Sequence, residues 1–570
     1  GGDHPEFGDG PVYKIAFYNY APSVTLSLKM GEDDAETETS AGTQPQTLTA
    51  YVKKGELTVS AQADTLSGFH FFPNLNENVD SEGTYPITVD ADASFQCGFD
   101  ELPGELNQEQ TAWYVGHESE LSYTISSAKQ LAGLASLVNG TAVDNSGKTI
   151  SGVNFANKTI TLDADVDLQT LGEGGSTPYV WTPIGSGYSY YFSGTFDGDG
   201  HTISGLYLNI PQTYLGLFTR TSGGSIENLT VEGETDNGTS SYTYTGGIVG
   251  YSTNTLFSNC TNKVSIVGAG YYAGGITGYA TAAISNCSNE GSISSARYAG
   301  GIVGSTAAAI SNCRNEGTVT CGTGNYTGGI AASGTGDICD CLNSGAVSGG
   351  NYIGGIVGRG GTVKNCFSSG IAVGTGTAMG QIAGSGTVTN SFTCGQGTTA
   401  SGQSGTAATA AALQYGRVVW QLNTADGAAA SSDVWTQGDS LPEFGTSPVY
   451  QVKVTNYSSD ISLSFKLGTQ DLDPSAVFEV NGSTCVYVPA GTLTIRPAGS
   501  SISDFGFQSG VSADGAGGYS LAVSADTVLR CGRATDLSAG TGALSRVQWY
   551  TENPDAAAFT ISNEDELWGL

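Results

Sequence analysis

Residues 272–291 read YAGGITGYATAAISNCSNEG, and residues 298–317 repeat the phrase as YAGGIVGSTAAAISNCRNEG. The glycine pair recurs in steps of 28, 26, 28, 26 and 26 residues, beginning at Gly246, Gly274, Gly300, Gly328, Gly354 and, in a degenerate copy, Gly380. A regular period of this length is typical of a solenoid, in which each repeat becomes stable by stacking on its neighbours.

Each repeat has room only for short strands. Gly-Gly, Ser-Asn and Asn-x-Gly interrupt every run long enough for a helix, and the segments between them are rich in Ile and Val. Three strands per repeat predict an all-β fold, a right-handed parallel β-helix with equal positions stacked about 4.8 Å apart. The rows predicted to point inward are the isoleucines after each glycine pair, the cysteines Cys260, Cys287, Cys313, Cys341 and Cys366, and Phe257, Ile284, Ile310, Ile338, Val363 and Val388.

Composition excludes several classes of partner. The chain has 570 residues, of which 39% are hydrophobic, enough for several packed domains. Its 53 acidic and 20 basic residues give a net charge of −33, which opposes binding to nucleic acid or to an anionic membrane. No run of 18 apolar residues occurs, so we expect no direct insertion into a membrane.

The two ends of the sequence resemble each other. Pro5-Glu6-Phe7-Gly8 returns as Pro442-Glu443-Phe444-Gly445, and Trp113-Tyr114 returns as Trp549-Tyr550, at offsets of 437 and 436 residues. The sequence therefore predicts one large unit followed by the first part of another. We expect it to be a segment of a longer tandem array, with any signal peptide or wall anchor outside it.

Strand alternation defines the predicted domains. The patterns VTLSLKM (24–30) and ISLSFKL (461–467) predict a small antiparallel β-sandwich over residues 1–118 and a second one over 442–555. The β-helix is predicted over 119–441, with regular repeats at 244–395, and a further β-helix unit is predicted to begin at 556–570. Ser126 or Ser127 is expected to cap a helix over 128–138 that closes the open end of the β-helix.

The repeat phrases are preceded by WTPIG (181–185) and FSGTFDG (192–198). Together these phrases resemble the GLUG-motif β-helix proteins, and the resemblance covers roughly residues 120–440. It implies a parallel β-helix in a large secreted or surface-attached bacterial protein, often with an adhesin-like role. Some members carry an immunoglobulin A peptidase domain beside the motif. This sequence has no His-Glu-x-x-His phrase, so that activity is not implied.

Side chains that could support metal or thiol chemistry are scattered. The cysteine spacing of the repeats does not fit zinc, and parallel strands point equal Cβ atoms the same way, which is poor geometry for a disulfide. We therefore expect no metal, cofactor or catalytic site. A bridge between Cys485 and Cys531, and calcium binding by Asp197-Gly198-Asp199-Gly200 rather than a simple turn, both stay open. The histidines stand apart from one another, at His4, His70, His117 and His201.

One pair of carboxylates could form an enzyme site, because some polysaccharide lyases and glycosidases are parallel β-helices. Glu290 and Glu316 lie one repeat apart, with Lys263 one repeat before them. Stacked carboxylates would suit a retaining glycosidase, although exposed charges beside turns are the simpler interpretation. The basic residues of the repeats occupy unlike positions, which does not favour a lyase site.

A tyrosine recurs two residues before the glycine pairs. If these rings point outward, they form an aromatic strip that could stack on sugars; if they point inward, they only pack. The candidate ligand-binding residues are Tyr244, Tyr272, Tyr298, Tyr326 and Tyr352 in the repeats, and Tyr188, Tyr190 and Tyr191 in the preceding loop.

We therefore predict a non-enzymatic extracellular protein of the bacterial cell surface. It would act as an adhesin or a rigid stalk of tandem sandwich and β-helix units, binding host or environmental glycans or glycoproteins. The alternatives are a polysaccharide-active β-helix enzyme and a component of self-associating surface fibres.

Overall fold

The computed structural model describes residues 11–538 except 40–45, 64–65, 68, 73–74, 76–83, 99–109, 144–148, 173–177, 187, 211, 237–243, 323–325, 377, 395–400 and 425–433. The fold is all-β, with about seven turns of parallel β-solenoid and small antiparallel sheets, which confirms the predicted fold class. The predictions for residues 1–10, which include His4 and the first Pro-Glu-Phe-Gly phrase, lie outside the described residues. So do those for Trp549-Tyr550 and for the unit starting at residue 556.

The chain divides into two compact units. The first comprises Gly1–Ala308 and Glu316–Gly324, and the second comprises Ala309–Asn315 and Asn325–Leu570.

The first unit begins with two sheets that enclose one core. Phe17 and Leu57 are fully buried between them, and Phe17 stacks on Phe95 with ring centroids 5.3 Å apart. One sheet is mixed, because Val12–Asn19 pairs antiparallel with one neighbour and parallel with the other. Its strands, in order, are Thr37–Thr39, Gln46–Lys53, Val12–Asn19, Ala93–Gly98 and His70–Phe72; those of the other are Asp33–Asp34, Thr25–Met30, Gly55–Gln62 and Thr84–Val89.

A helix, α1 (Ala128–Asn139), lies between the first two strands of the solenoid. The Ser127 hydroxyl accepts a hydrogen bond from the Gln130 amide, and Gly140 ends the helix in the left-handed region at φ 68°. The apolar face of α1 is buried, as its amphipathic sequence predicts. Tyr114, which lies within the predicted first domain, contacts Phe155 of the early coils with ring centroids 5.2 Å apart.

The coils are built from short strands at recurring positions. In coil order, the strands at the position of the repeat tyrosine, which is an alanine in the last, are Tyr214–Leu215, Tyr244–Gly246, Tyr272–Gly274, Tyr298–Gly300, Tyr326–Gly328, Tyr352–Gly354 and Ala378–Gly380. Those after the glycine pair are Phe218–Ser222, Val249–Thr253, Thr277–Ala280, Val303–Thr306, Ala331–Gly334, Val357–Lys364 and Ala383–Thr389. Those of the Ile-Ser phrase and its forerunners are Ser122–Ile125, Thr159–Leu162, Thr195–Asp197, Ser225–Glu227, Leu256–Ser258, Ile284–Ser285, Ile310–Ser311 and Ile338–Cys339.

The remaining solenoid strands follow the cysteine position. They are Val166–Asp167, Thr202–Leu208, Thr230–Asp236, Thr261–Ala269, Ser288–Asn289, Ile293–Ser295, Arg314–Asn315, Val319–Cys321, Leu342–Asn343, Val347–Gly349, Phe367–Ser368, Ala372–Gly374, Phe392–Thr393 and Thr406–Ala407. A 3₁₀ turn, Leu168–Leu171, interrupts the early coils.

The predicted inward rows are buried. The isoleucines after the glycine pairs and the ladder cysteines are at most 1% exposed. In the third predicted row the residues from Phe257 to Val363 are buried, whereas Val388 in the last coil is only half-buried.

A ladder of buried asparagines fixes the register between coils. In the first unit Asn262 Nδ2 donates to Asn289 Oδ1 at 2.7 Å and to the Val264 carbonyl at 3.1 Å. In the second unit Asn315 Nδ2 donates to Asn343 Oδ1, also at 2.7 Å. A buried amide without hydrogen-bond partners is destabilising. A shift of register would break these bonds and is therefore disfavoured.

A second row of asparagines forms the turns before the cysteines, and Asp340 interrupts it. Asn312, Asp340 and Asn365 all adopt φ near 53°, in the left-handed region that asparagine tolerates. In the second unit Asn390 Nδ2 donates to Asn365 Oδ1 at 2.8 Å. An aspartate carboxylate cannot donate such a hydrogen bond. Burial raises the pKa of the Asp340 carboxyl, and this effect outweighs the hydrogen bond from Asn365, which lowers it.

We expect Asp340→Asn to stabilise the second unit by about 0.5–1 kcal/mol at pH 7, the value of one added hydrogen bond. A raised pKa in the fold means that Asp340 favours folding while protonated and that this contribution is lost as the pH rises through the folded pKa. The gain should therefore shrink below about pH 4, near the ordinary pKa of aspartate. Thermal unfolding of both proteins across this range measures the difference; an equal gain at every pH would contradict the account.

The solenoid of the second unit ends in two short helices, α2 (Ala410–Gln414) and α3 (Arg417–Asn423). They lie in one continuous apolar cluster with Phe367 and Phe392 of the last coils, with Trp435, and with Tyr487 of the following sheet. The end of the solenoid, its cap and the second sandwich thus share a core.

The second sandwich repeats the architecture of the first. A hairpin, Trp435–Gln437 with Pro442–Phe444, leads into it. One sheet has the order Phe478–Val480, Ser483–Pro489, Val449–Asn456, Thr527–Arg533 and Phe505–Phe507; the other has Gln470–Asp471, Ser462–Leu467, Gly491–Ala498, Tyr519–Val523 and Ser512–Ala513, with a 3₁₀ turn at Pro474–Ala476.

Candidate ligand-binding face

The repeat tyrosines lie outside the core because of strand pleating. In the strand Tyr272–Gly274, Ala273 points inward and is fully buried, so Tyr272 points outward. The same alternation holds at Tyr244 and Tyr298, which are half-buried. In the first unit we call the surface formed by these and the neighbouring rings the tyrosine face. Its members are Tyr188, Tyr244, Tyr251, Tyr272, Tyr279 and Tyr298, together with the buried Tyr214 at the end of the row.

One column of the tyrosine face is a stack along the coils. The rings of Tyr244 and Tyr272 lie 4.9 Å apart at an interplanar angle of 12°, and those of Tyr272 and Tyr298 lie 4.4 Å apart at 29°. Tyr214 continues the column at 5.7 Å from Tyr244. The ring faces are therefore used in packing on one another, and the ring edges and hydroxyls remain for a ligand.

A second column runs beside the first. Tyr251 and Tyr279 stack at 4.9 Å and 8°, and Tyr251 meets Tyr244 edge to face at 5.2 Å. In the next coil Ser305 pairs with Tyr279, so the second column ends there. The sequence prediction missed this column, although Tyr251 and Tyr279 both directly follow the last glycine of the Gly-Gly-Ile-x-Gly phrase, 28 residues apart.

The tyrosines of the lead-in loop differ from one another. Tyr188 is 74% exposed and meets Tyr214 edge to face at 5.8 Å, so it extends the tyrosine face. Tyr190 is 39% exposed but packs on Gly152, where an added Cβ would lie 2.5 Å from its ring. Tyr191 is half-buried.

Arg220 joins the loop to the tyrosine face. Its guanidinium carbon lies 5.5 Å from the ring centroids of Tyr188 and Tyr191 and 5.7 Å from that of Tyr251. Its Nη1 atom also donates to the Tyr188 carbonyl at 3.1 Å. These contacts hold the exposed Tyr188 ring at the edge of the face.

Four phenols of the tyrosine face are held in the neutral form. Burial raises the pKa of Tyr214, Tyr244, Tyr251 and Tyr272 above the ordinary value, and neighbouring phenols raise it further. Each hydroxyl can therefore both donate and accept a hydrogen bond at physiological pH.

The second unit carries a shorter version of the column. Tyr326 and Tyr352 stack at 5.1 Å and 22°, and Arg359 Nη1 donates to the Tyr326 hydroxyl at 3.0 Å. Ala378 follows Tyr352 in the next coil, so the tyrosine position is lost there.

The other candidate sites look structural. Glu290 and Glu316 are exposed. Lys263 pairs with Glu232 at 3.0 Å, and the pKa of Lys263 is raised by this ion pair and, less strongly, by the charge of Glu290. Asp197 Oδ1 accepts hydrogen bonds from the Asp199 amide and from Asn228 Nδ2, both at 2.9 Å, as in a turn.

Two of the described histidines each contact a single carboxylate. His117 contacts Glu120 at 2.9 Å and His201 contacts Asp165 at 3.2 Å. Cys485 and Cys531 are buried free thiols in different apolar clusters. Over the described ranges no group of three or more His, Cys, Asp or Glu side chains could hold a metal ion. No helix in the described part of the chain is both long and apolar enough to cross a bilayer.

The repeat region matches a known family. Residues 269–294 and 295–320 match the GLUG motif, and both lie within the parallel β-solenoid, which confirms the resemblance to GLUG-motif β-helix proteins. The chain is thus a parallel β-solenoid protein with GLUG repeats. No curated protein matches it.

Two solved structures are similar to this chain at a low level. One, a crystal structure from Bacteroides ovatus provisionally named an immunoglobulin A1 protease, is 20% identical with a TM-score of 0.33 and covers 57% of this chain and 92% of its own. The other, named IgA1 Protease, is 12% identical with a TM-score of 0.24 and covers 71% of this chain and 28% of its own. At these scores neither likeness carries an argument about activity.

Proposed function

We propose that this chain is a non-enzymatic protein of the bacterial cell surface, of the adhesin type, which binds neutral glycans through the tyrosine face. The observation that carries the proposal is the row of outward phenols that stack from coil to coil through Tyr244, Tyr272 and Tyr298. Location at the cell surface rests on the resemblance to GLUG-motif proteins.

The chemistry of the tyrosine face favours a ligand rich in hydroxyl groups. The column rings are stacked on one another, so their edges and hydroxyls are what a ligand meets. Neutral phenols donate and accept hydrogen bonds, as sugar hydroxyls do. Tyr188, the most exposed ring, can in addition stack on a sugar at the end of the column.

Charge favours a neutral glycan over an acidic one. The chain carries a net charge of −33, so uronates and sulfated sugars are repelled at long range. Arg220 is shared among three aromatic rings and so is already engaged.

The spacing of the coils suits an extended chain. Equivalent tyrosines recur at the strand separation of about 4.8 Å. An extended glycan laid along the coils would therefore meet an equivalent tyrosine at each coil. The carboxylates Glu290 and Glu316 occupy a different position of the coil, in the turn after the cysteine strand.

The test is retention of the full chain on immobilised mucin, host glycoproteins and neutral plant polysaccharides. We expect retention, and we expect the triple variant Tyr188→Ser, Tyr251→Ser, Tyr279→Ser to lose at least about tenfold in affinity, equivalent to about 1.4 kcal/mol. Thermal unfolding of the triple variant verifies that it is folded, and Tyr51→Ser, an exposed tyrosine of the first sandwich, is the matched control.

Three outcomes would contradict the proposal. Equal loss in Tyr51→Ser would show that the tyrosine face is not the site. Shortening of a polysaccharide, or cleavage of immunoglobulin A1 added as a substrate, would make the chain an enzyme. Absence of retention on every glycan would leave a rigid stalk as the simplest function.

A further inference from the structure

The two sandwiches are equivalent position by position. The strand orders of the sheets containing Val12–Asn19 and Val449–Asn456 correspond one to one. Lys14 pairs with Tyr51 in the first, as Gln451 pairs with Tyr487 in the second. The amide of Lys14 donates to Asp92 Oδ1 at 2.8 Å, and the amide of Gln451 donates to Asp526 Oδ1 at the same distance. Tyr51 is therefore the counterpart of Tyr487, and Asp92 that of Asp526.

In the second sandwich this outer face is covered by the solenoid cap. The ring of Tyr487 lies 5.4 Å from that of Trp420 in α3, and Tyr487 is only 6% exposed. Asp526 Oδ2 accepts a hydrogen bond from Trp420 Nε1 at 2.9 Å. Gly416, between the helices, sits so close that an added Cβ would lie 2.9 Å from Val449. The cap and this sheet form one interface.

In the first sandwich the counterpart of Tyr487 is exposed, whereas Val12 and Thr49, the counterparts of Val449 and Cys485, are buried. Tyr51 is 50% exposed, and Tyr18 and Tyr20 on the neighbouring strand and its end are each 37% exposed. Register also places Glu38 where the second sandwich has Phe478, since each pairs with the equivalent strand at Thr49 and Cys485. Arg417 of the cap lies 5.2 Å over the Phe478 ring, so a cap of the same kind would bring an arginine to Glu38.

We propose that the outer face of the first sandwich, formed by Tyr18, Glu38, Tyr51 and Asp92, docks the two-helix cap of another solenoid of this type that precedes it in the same polypeptide. The interface would reproduce the contacts of Trp420 and Arg417 with the second sandwich. A cap from a second copy of this chain is a poorer occupant, because that cap is already covered by its own second sandwich. Each sandwich would then be a joint between consecutive solenoids.

The test uses a fusion protein in which residues 1–437 directly precede the full chain, so that the first sandwich of the full chain becomes internal. We expect strand Gln46–Lys53 of the internal sandwich to gain hydrogen-exchange protection to the level of Ser483–Pro489, relative to the single chain. Tyr51→Ala in the internal sandwich should remove that gain and lower its unfolding temperature. The same substitution in the single chain should leave the unfolding temperature unchanged, because the ring is exposed there.

Two results would overturn the proposal. Unchanged protection of the internal strand Gln46–Lys53 would show that no cap docks on it, and an equal effect of Tyr51→Ala in both proteins would show that the ring is only a local stabiliser. Sedimentation of the single chain decides between occupants: we expect a monomer, whereas a dimer abolished by Tyr51→Ala would assign the face to a second copy. None of these readouts depends on glycan binding.

Discussion

Gly274→Ala should destabilise the first unit by about 3 kcal/mol, the upper range for forcing extra atoms into a packed site. A Cβ at this position would lie 2.3 Å from the Thr277 carbonyl oxygen, 2.6 Å from the Val303 Cα and 2.7 Å from the Gly304 amide nitrogen. All three are backbone atoms, so no side chain can rotate away to relieve the clash. Because coils are stable only through their neighbours, a shift in one coil weakens the next.

Urea unfolding followed by far-ultraviolet circular dichroism measures this loss. Gly322→Ala in the same unit is the matched control, since its Cβ would have only the Ala296 carbonyl oxygen near it, at 4.0 Å. We expect the control to change stability by less than about 0.5 kcal/mol, as is usual for exposed positions. Similar losses in both variants would mean that close backbone approach is not what the repeat glycines provide.

Trp435→Ala should cost about 3–5 kcal/mol, the usual loss for truncating a large buried aromatic residue. Trp435 is fully buried in the apolar cluster shared by the solenoid end, the cap and the second sandwich, and its ring lies 4.8 Å from that of Phe444. Its backbone exchanges two hydrogen bonds with the Asn423 side chain at 2.8 and 3.0 Å, which fixes the end of α3.

Trp435→Ala should also change the shape of the thermal unfolding transition. Without Trp435 the second sandwich keeps its own core around Val452 and Leu493, so calorimetry should resolve its unfolding from that of the solenoid end. Val528→Ala, on an exposed residue of the same sandwich, is the control and should leave a wild-type thermogram. A single unshifted transition in Trp435→Ala would contradict the shared core.

The solenoid was predictable because its signal repeats. A β-helix needs glycine where backbones approach and an apolar residue at each inward position, so Gly274, Ile284 and Cys287 return one coil later and reveal their roles by position alone. The capped helix α1 was predictable to within one residue, because Ser127 and Gly140 mark its ends.

The tyrosine face was only partly predictable. Sequence period identified the column through Tyr244 and Tyr272 but could not show whether the rings present faces or edges, since that depends on how each ring stacks on the next coil. Tyr251 and Tyr279 persist for only two coils and were missed for that reason.

The burial of equivalent residues in the two sandwiches could not be predicted from the sequence. Tyr51 and Tyr487 are the same residue in the same register, yet one is 50% and the other 6% exposed. The difference arises from what packs on each sheet, which is a property of the assembled chain and leaves no local trace.

The most direct test of glycan binding is calorimetric titration of the full chain with neutral β-1,4-linked oligosaccharides of increasing length, with the mass of each ligand measured before and after. Repeated contacts along the coils predict an affinity that rises with each added sugar until the tyrosine face is spanned and then levels off, with every ligand recovered intact. Affinity independent of length, or recovery of shortened ligands, would contradict the account.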